Sequence, residues 1–353
     1  MTEAIQSRVA TLGLFEQRFS GDDCLMQLTS RRFREAMMGA EMHGGSIDDL
    51  ERRLSFRPSG EAAVIFHLPR DFKITDQATR ERVVELARHF AGRVSGFVVH
   101  DHNAMVKQPA VYLDAASQLN WKLANIQQCP TLFIEYAVGV PPGEFARFFE
   151  SGLEFARIGP CIDIGHVGIR AARNAFAARH PGEDVCALKS QPPSLTQLMP
   201  DVDAAVAKGV EVVLDLIGEL LRLNGPIHFH LHDGHPLSAS SPFGLADHLS
   251  FFAEIPLSFE HRGRRALATM FGPEGLSRIV SLSLRPPHST PVSFTLEIHP
   301  TGERLPLGEA APLFSHWTDK TNAEKMNHWL SILTDNHWLL TKSIQQCAAS
   351  GAD

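Results

Sequence analysis

Runs of four or five apolar residues recur along this chain, and six of them stop at a histidine or carboxylate just as the sequence turns polar. They are AVIFH ending at His67, GFVVH at His100, TLFIE at Glu135, CIDIGH with Asp163 and His166, PIHFH at His230 and VSFTLE at Glu297. A continuous apolar run of this length predicts a strand buried on both faces, as in a parallel sheet. Between the runs lie helical periods. Thr79 to Phe90 puts Val83, Val84, Leu86, Ala87 and Phe90 on one stripe, with arginines and glutamates opposite. Ala110 to Ile126 repeats the pattern, and Pro141 to Phe155 opens with proline in its first turn. Strand and helix alternating in this way predict βαβ units with right-handed crossovers. Further helices are predicted before the last strand (Pro273 to Leu284) and after it (Thr321 to Ser343).

Two stretches break the rhythm. Residues 170 to 225 hold a polar, proline-bearing loop (Pro181 to Pro193) and a long amphipathic helix, Ser194 to Leu223. Residues 256 to 290 are rich in arginine and proline. The first 60 residues read as mostly helical, with the first strand near Val9 to Leu14. The expected fold is therefore a (β/α)8 TIM barrel with an N-terminal helical extension and insertions after strands 5 and 7. His67 and His100 would end the second and third strands, and His248 would come from the region of the seventh. There is no internal repeat or low-complexity tract, so residues 1–353 read as one elaborated domain.

In such a barrel the carboxyl ends of the strands share one rim, where active sites lie. Gathering His, Asp and Glu on that rim has an evident physical reason, a divalent metal. The chain's 353 residues exceed the roughly 250 a barrel needs. With 44% hydrophobic and 21% charged residues the composition is that of an ordinary globular enzyme. A net charge of −7 disfavours a nucleic-acid partner. The five cysteines (Cys24, Cys129, Cys161, Cys186 and Cys347) form no CxxC pair and read as reduced thiols, which points to a cytoplasmic protein. No leader pattern and no membrane-length apolar stretch is present. Nor is there a GxGxxG, P-loop, GxSxG or HExxH motif.

Each candidate also has a plainer reading. Glu135 and Glu297, closing buried strands, need a partner, either an ion or a basic side chain. Asp163 and His166 form a corner whose glycine would let His166 turn toward the same centre, unless Asp163 simply caps a helix. His228, His230 and His232 alternate onto one face. His230 is expected to bind the metal, with His232 and Asp233 orienting it and His228 a satisfied interior histidine. His67 and His100 are further ligands, or else donors to substrate hydroxyls or core carbonyls, and His248 is a further ligand or an ordinary loop histidine. His102 and His299 would border the pocket.

These residues resemble the xylose isomerase-like superfamily of metal-dependent barrels, which includes sugar isomerases and epimerases and the endonuclease IV type of abasic-site nuclease. The resemblance runs from about His67 to Glu297, a core of about residues 60–300, and leaves 301–353 as a C-terminal helical segment. It implies a four-ligand set of Glu135, the Asp163–His166 corner, His230 followed by Asp233, and Glu297. Glu135 and Glu297 would both ligate and move a proton, and His166 is a candidate ligand and catalytic group. His67, His100 and His248 fall where endonuclease-like members carry extra ligands. Ala246 stands where that pattern has an aspartate, so that either Asp233 or Asp247 substitutes or one metal is missing. Phe251-Phe-Ala-Glu replaces an expected glycine-bearing segment, and the epimerases' arginine is missing around His235 and Pro236.

The expectation is a metal-dependent isomerase or epimerase acting on a sugar-like or hydroxycarbonyl small molecule by carboxylate-mediated proton transfer. A multinuclear phosphodiesterase-like hydrolase and an iron-dependent, oxygen-using enzyme are the alternatives. One to three divalent ions (Mn, Zn, Co or Fe) are implied, no membrane partner is expected, and a homo-oligomer is compatible with the chain.

Overall fold

Side chains on a strand alternate between its two faces, and here that alternation separates a polar lumen from an apolar jacket. In a computed structural model, which describes residues 8–15, 22–57, 62–136, 140–152, 154–190, 192–223, 225–237, 248–252, 255–261, 264–285, 290–298 and 321–350, eight parallel strands close into a barrel. They are β1 (Val9–Phe15), β2 (Gly39–His43), β3 (Val64–His67), β4 (Gly96–His100), β5 (Thr131–Glu135), β6 (Ile158–Asp163), β7 (Ile227–Leu231) and β10 (Val292–Leu296). Each pairs with the next, and β10 pairs with β1 through Val9↔Val292 to Gly13↔Leu296. An antiparallel hairpin, β8 (Ile255–His261) and β9 (Arg264–Ala268), lies between β7 and β10.

Outward-facing Phe66, Phe97, Leu132, Ile134, Ile162, Phe229 and Phe294 join the large core under the helices, all buried. Inward-facing Leu12, Ile65, Val98, Phe133 and Cys161 form a small plug inside the barrel. Burying one such side chain contributes about 1.5–3 kcal/mol. Above the plug the lumen turns polar.

The helices begin and end where the local chemistry dictates. Asp22 accepts hydrogen bonds from the Cys24 and Leu25 amides at the start of helix Asp23–Glu35, and Ser46 caps Ile47–Ser55. Proline opens Pro109–Ala124 and Pro142–Ser151. Helices Gln77–His89, Pro192–Leu221 and Gly272–Leu284 follow the predicted stripes, and Ile164–Arg179 is a helix the sequence reading did not mark. The C-terminal helix Asn322–Ser350 lies over β1. A Cβ on Gly13 would stand 2.9 Å from both Leu333 Cδ2 and Phe33 Cζ, so glycine admits the helix. Trp329 Nε1 donates to the Ile298 carbonyl at 2.9 Å, holding the helix to the end of the last strand.

The fold class is the one the pattern predicted, but the strand count is assembled differently. Residues 9–55 supply two complete strand–helix units, and β2 has no counterpart in the sequence reading. His67 and His100 consequently end the third and fourth strands. The long connection after Asp163 follows the sixth strand. Among the described residues, no barrel strand contains His248. That segment is tied to β7 instead by a bridge in which Asp233 and Leu249 exchange both amide hydrogen bonds, at 2.8 and 2.9 Å. All five cysteines are free thiols. Among the described residues no helix is long and apolar enough to cross a membrane.

Candidate metal centre

The strand registers bring the candidate ligands together. His100 pairs with Glu135 across β4 and β5, and Asp163 with His230 across β6 and β7, so in each pair both side chains point into the lumen at the same height. One ligand atom each from Glu135, Asp163, His230 and Glu297 lies within 4.8 Å of the other three, with all four residues buried. His230 Nδ1 is 3.0 Å from Glu297 Oε2 and 3.4 Å from Glu135 Oε1.

A second group adjoins the first. His67 Nε2 is 3.2 Å from Glu135 Oε2 and 3.4 Å from His100 Nε2, and His100 Nε2 is 3.6 Å from the same Glu135 oxygen. Glu135 thus belongs to both groups through different oxygens. A third consists of His166, His232 and His248, again with ligand atoms within 4.8 Å of one another. It touches the first at Asp163, whose Oδ1 is 2.9 Å from His232 Nε2 and whose Oδ2 is 3.4 Å from His166 Nδ1. His248 adopts a left-handed backbone, φ +48°, a conformation that costs a non-glycine residue roughly 1–2 kcal/mol. The Asp233–Leu249 bridge beside it, with the Asn336 side chain bonded to both Ser250 Oγ and the Phe251 amide, holds it in place. The Phe251 segment, divergent in sequence, is therefore anchored to the C-terminal helix.

The centre is short of positive charge. Among the described residues, the ion-pair partners of Glu41, Glu135 and Asp163 are all histidines. Glu135 Oε2, Asp163 Oδ2, His230 Nδ1 and both His166 nitrogens are buried without a hydrogen bond in acceptable geometry. Protons answer the same demand. Burial opposes charging His67, but Glu135 and Glu41 outweigh it and raise its pKa to about 9. His232 rises to about 9 as well, because Asp163 overcomes burial. His230 is pushed well above the ordinary range against burial by its anionic surroundings, and Glu135, also against burial, is held well below its own by the imidazoles around it, His230 and His67 among them. His100 goes the other way, down to about 4, with burial dominant. Lone-pair atoms converging with unsatisfied buried acceptors and an excess of carboxylate are what divalent cations require. The residues present fit such ions, and the mixture of nitrogen and oxygen donors suits Mn, Fe, Co or Zn.

Some sequence expectations change here. Asp233 neither orients His230 nor offers itself to an ion. Its carboxylate accepts from the amides of Gly234, Met270, Phe271 and Gly272 at 2.7–3.0 Å and secures the start of helix Gly272–Leu284. His232 stands with His166 and His248 instead. Asp163 does cap a helix, accepting from the His166 amide at 2.8 Å, but His166 is buried inside the centre rather than left on the surface. Gly165 does not turn the chain. It lies within that helix, and a Cβ there would meet His232 Cε1 at 2.0 Å, so it is glycine that makes room for the imidazole. His228 is the satisfied interior histidine, bonded to Ser293 Oγ at 2.7 Å and Glu41 Oε2 at 3.0 Å. His102 sits beside the Ala104 amide at the start of a short helix. Ala246, Asp247, His299 and residues 301–320 lie outside the described residues.

Two lumen residues had no sequence signal of their own. His43 ends β2 and stacks on His67 with ring centroids 4.5 Å apart. Glu41, fully buried, accepts from His67, His228, His230 and Thr295.

No family model and no curated protein matches this chain. Among solved structures, it is similar to a xylose isomerase-like TIM barrel protein from Mycobacterium smegmatis in complex with magnesium. The identity is 11% and the TM-score 0.45, over 92% of this chain and 88% of that one. It is also similar to the crystal structure of AsfvAP:AG, at 12% identity and TM-score 0.40, over 82% of this chain and 87% of that one.

Proposed function

We propose that this chain is a metal-dependent enzyme with a multinuclear centre, acting on a small, oxygen-rich molecule at the carboxyl-end mouth of the barrel. One observation carries the reading. Glu135 presents Oε2 to His67 and His100 and Oε1 to His230, so the two ligand groups share a residue and lie side by side. Adjacent groups sharing a carboxylate favour more than one ion, and this shifts the balance from the single-ion isomerase toward metal-assisted hydrolysis of an ester or phosphoester. When bound, clustered divalent ions supply Lewis acidity, polarising substrate oxygens and acidifying water.

The chain's own residues would divide the work. His67, His100, Glu135, Asp163, His230 and Glu297 hold the ions, with His166, His232 and His248 offering a third position. Glu297 lies at the rim, 7% exposed, and can hold a proton in passage between substrate and solvent. His166, in the first turn of Ile164–Arg179, faces the same lumen as an acid or base.

Isomerisation of a hydroxycarbonyl compound is the second reading. It is favoured by Glu135 and Glu297 approaching His230 Nδ1 together, the pair of carboxylates that such a proton transfer uses. Metal analysis of the purified full chain, followed by turnover assays on phosphoesters and on hydroxycarbonyl sugars, tests both. Two or three equivalents with hydrolysis support the first reading. One equivalent with isomerisation replaces it by the second, and a chain that takes up no divalent ion refutes the metal reading altogether.

A further inference from the structure

Glu41 is a fully buried carboxylate in the lumen where Glu135, Asp163 and Glu297 face the proposed ions. Its two oxygens take four donors. Oε1 receives His67 Nδ1 at 2.9 Å and His230 Nε2 at 2.9 Å, and Oε2 receives His228 Nε2 at 3.0 Å and Thr295 Oγ1 at 2.7 Å. An ionised carboxylate accepts only, with about four lone-pair sites, so each ring nitrogen touching it carries a hydrogen and no lone pair is left for an ion. His67 must then be the Nδ1–H form and His230 the Nε2–H form, which are opposite tautomers.

The atoms left with lone pairs are the ones facing the two adjacent groups. His67 Nε2 is 3.2 Å from Glu135 Oε2, and His230 Nδ1 is 3.0 Å from Glu297 Oε2. A hydrogen bond from the far nitrogen of a ligating imidazole fixes its orientation and raises its basicity. Glu41 makes that bond to two histidines in two different groups, and with the same oxygen atom.

We propose that Glu41 is a positioning residue that sets opposite tautomers in His67 and His230 and so governs ion affinity at two adjacent positions at once. The inference rests on the metal reading of the centre. It gives β2 a function that its sequence, Gly-Ala-Glu-Met-His, does not display. It also separates Glu41 from the group it forms geometrically with His67 and His230, because both of its oxygens are already occupied.

The test uses the full chain and zinc as the probe. Zinc affinities are measured by competition with a chromophoric chelator for the unaltered protein, Glu41→Gln and His67→Ala. Imidazole 15N spectra of the zinc-loaded protein are assigned with His67→Ala and His230→Ala. The unaltered chain should bind at least two zinc ions, with His67 protonated at Nδ1 and His230 at Nε2. Glu41→Gln should weaken both ions by roughly 10–100-fold with an unchanged circular dichroism spectrum, whereas His67→Ala should affect one. Affinities within about twofold of the original overturn the proposal, as does weakening of only one ion. Outright loss of one ion with the other intact would make Glu41 a ligand rather than a positioning residue. If Glu41→Gln does not fold, the spectra of the unaltered protein decide, and the reverse tautomer in either histidine refutes the inference. An unaltered chain that binds no zinc fails earlier, at the metal reading itself.

Discussion

His67 and His100 approach each other nitrogen to nitrogen, Nε2 to Nε2 at 3.4 Å, with one oxygen of Glu135 beside both. Because His67 donates its other nitrogen's hydrogen to Glu41, its Nε2 lone pair confronts an imidazole nitrogen and a carboxylate oxygen. A cation or a proton must lie among them. In the double variant His67→Ala, His100→Ala we expect the metal content to fall by about one equivalent with the remainder retained, measured by elemental analysis. An unchanged count would reassign both histidines to substrate.

Glu297→Gln keeps the side chain's shape but removes its charge and its capacity to take a proton. Turnover should fall at least about 100-fold while the thermal transition stays within a few degrees. Near-normal activity at unchanged metal content would leave Glu297 with a structural role only.

Gly165→Ala probes the three-histidine group from behind. The added methyl would stand 2.0 Å from His232 Cε1, so the imidazole must move away from Asp163 and His248. We expect a loss of about 1–3 kcal/mol in denaturant unfolding, the usual range for overpacking, with weakened binding of one ion. A variant as stable as the parent, with the same metal content, would show that His232 has room to spare.

His337, buried on the C-terminal helix with Nε2 2.9 Å from Thr11 Oγ1, has its pKa lowered by burial from 6.5 to about 4. The unfolded chain therefore binds a proton there before the folded one does. The stabilisation is complete above pH 6.5 and is lost as pH falls toward 4, at about 1.4 kcal/mol per pH unit for one group. His337→Gln should flatten the acid limb of the stability curve by roughly that slope, while His235 and His100, both lowered to about 4 by burial, continue to contribute to it. Parallel curves for the two proteins would contradict it.

The sequence made the strand ends legible because apolar runs of five residues leave few alternatives, and a terminal histidine or glutamate on such a run is conspicuous. It did not reveal β2. Gly-Ala-Glu-Met-His has low strand propensity, and a mid-strand glutamate reads as solvent-exposed until four donors from β3, β7 and β10 are known to surround it. The Asp163–His166 spacing was visible, but the role of Gly165 was not, since the imidazole it accommodates comes from a strand 60 residues further on. His248 resembled a strand residue and proved to sit on a left-handed bend. Asp233 carried the charge of a ligand while four amides had already claimed it. In each case the missing information was a partner distant in the chain.

The pairing of β1 with β10 also has a consequence for biosynthesis. Nothing can close the barrel until Val292–Leu296 has been made and has found a strand near the opposite terminus, with the C-terminal helix then laid over Gly13. Contacts of such long sequence separation form late, because loop closure must come first. Glu297 arrives with that last strand, and the Asn336 clamp on the His248 segment arrives after it. A nascent chain that has emerged only as far as His230 already carries most of the candidate ligands but lacks the strand that closes the barrel. If the centre takes up ions as proposed, tight capture must wait until β10 has paired with β1, and metal uptake would report that the barrel has closed.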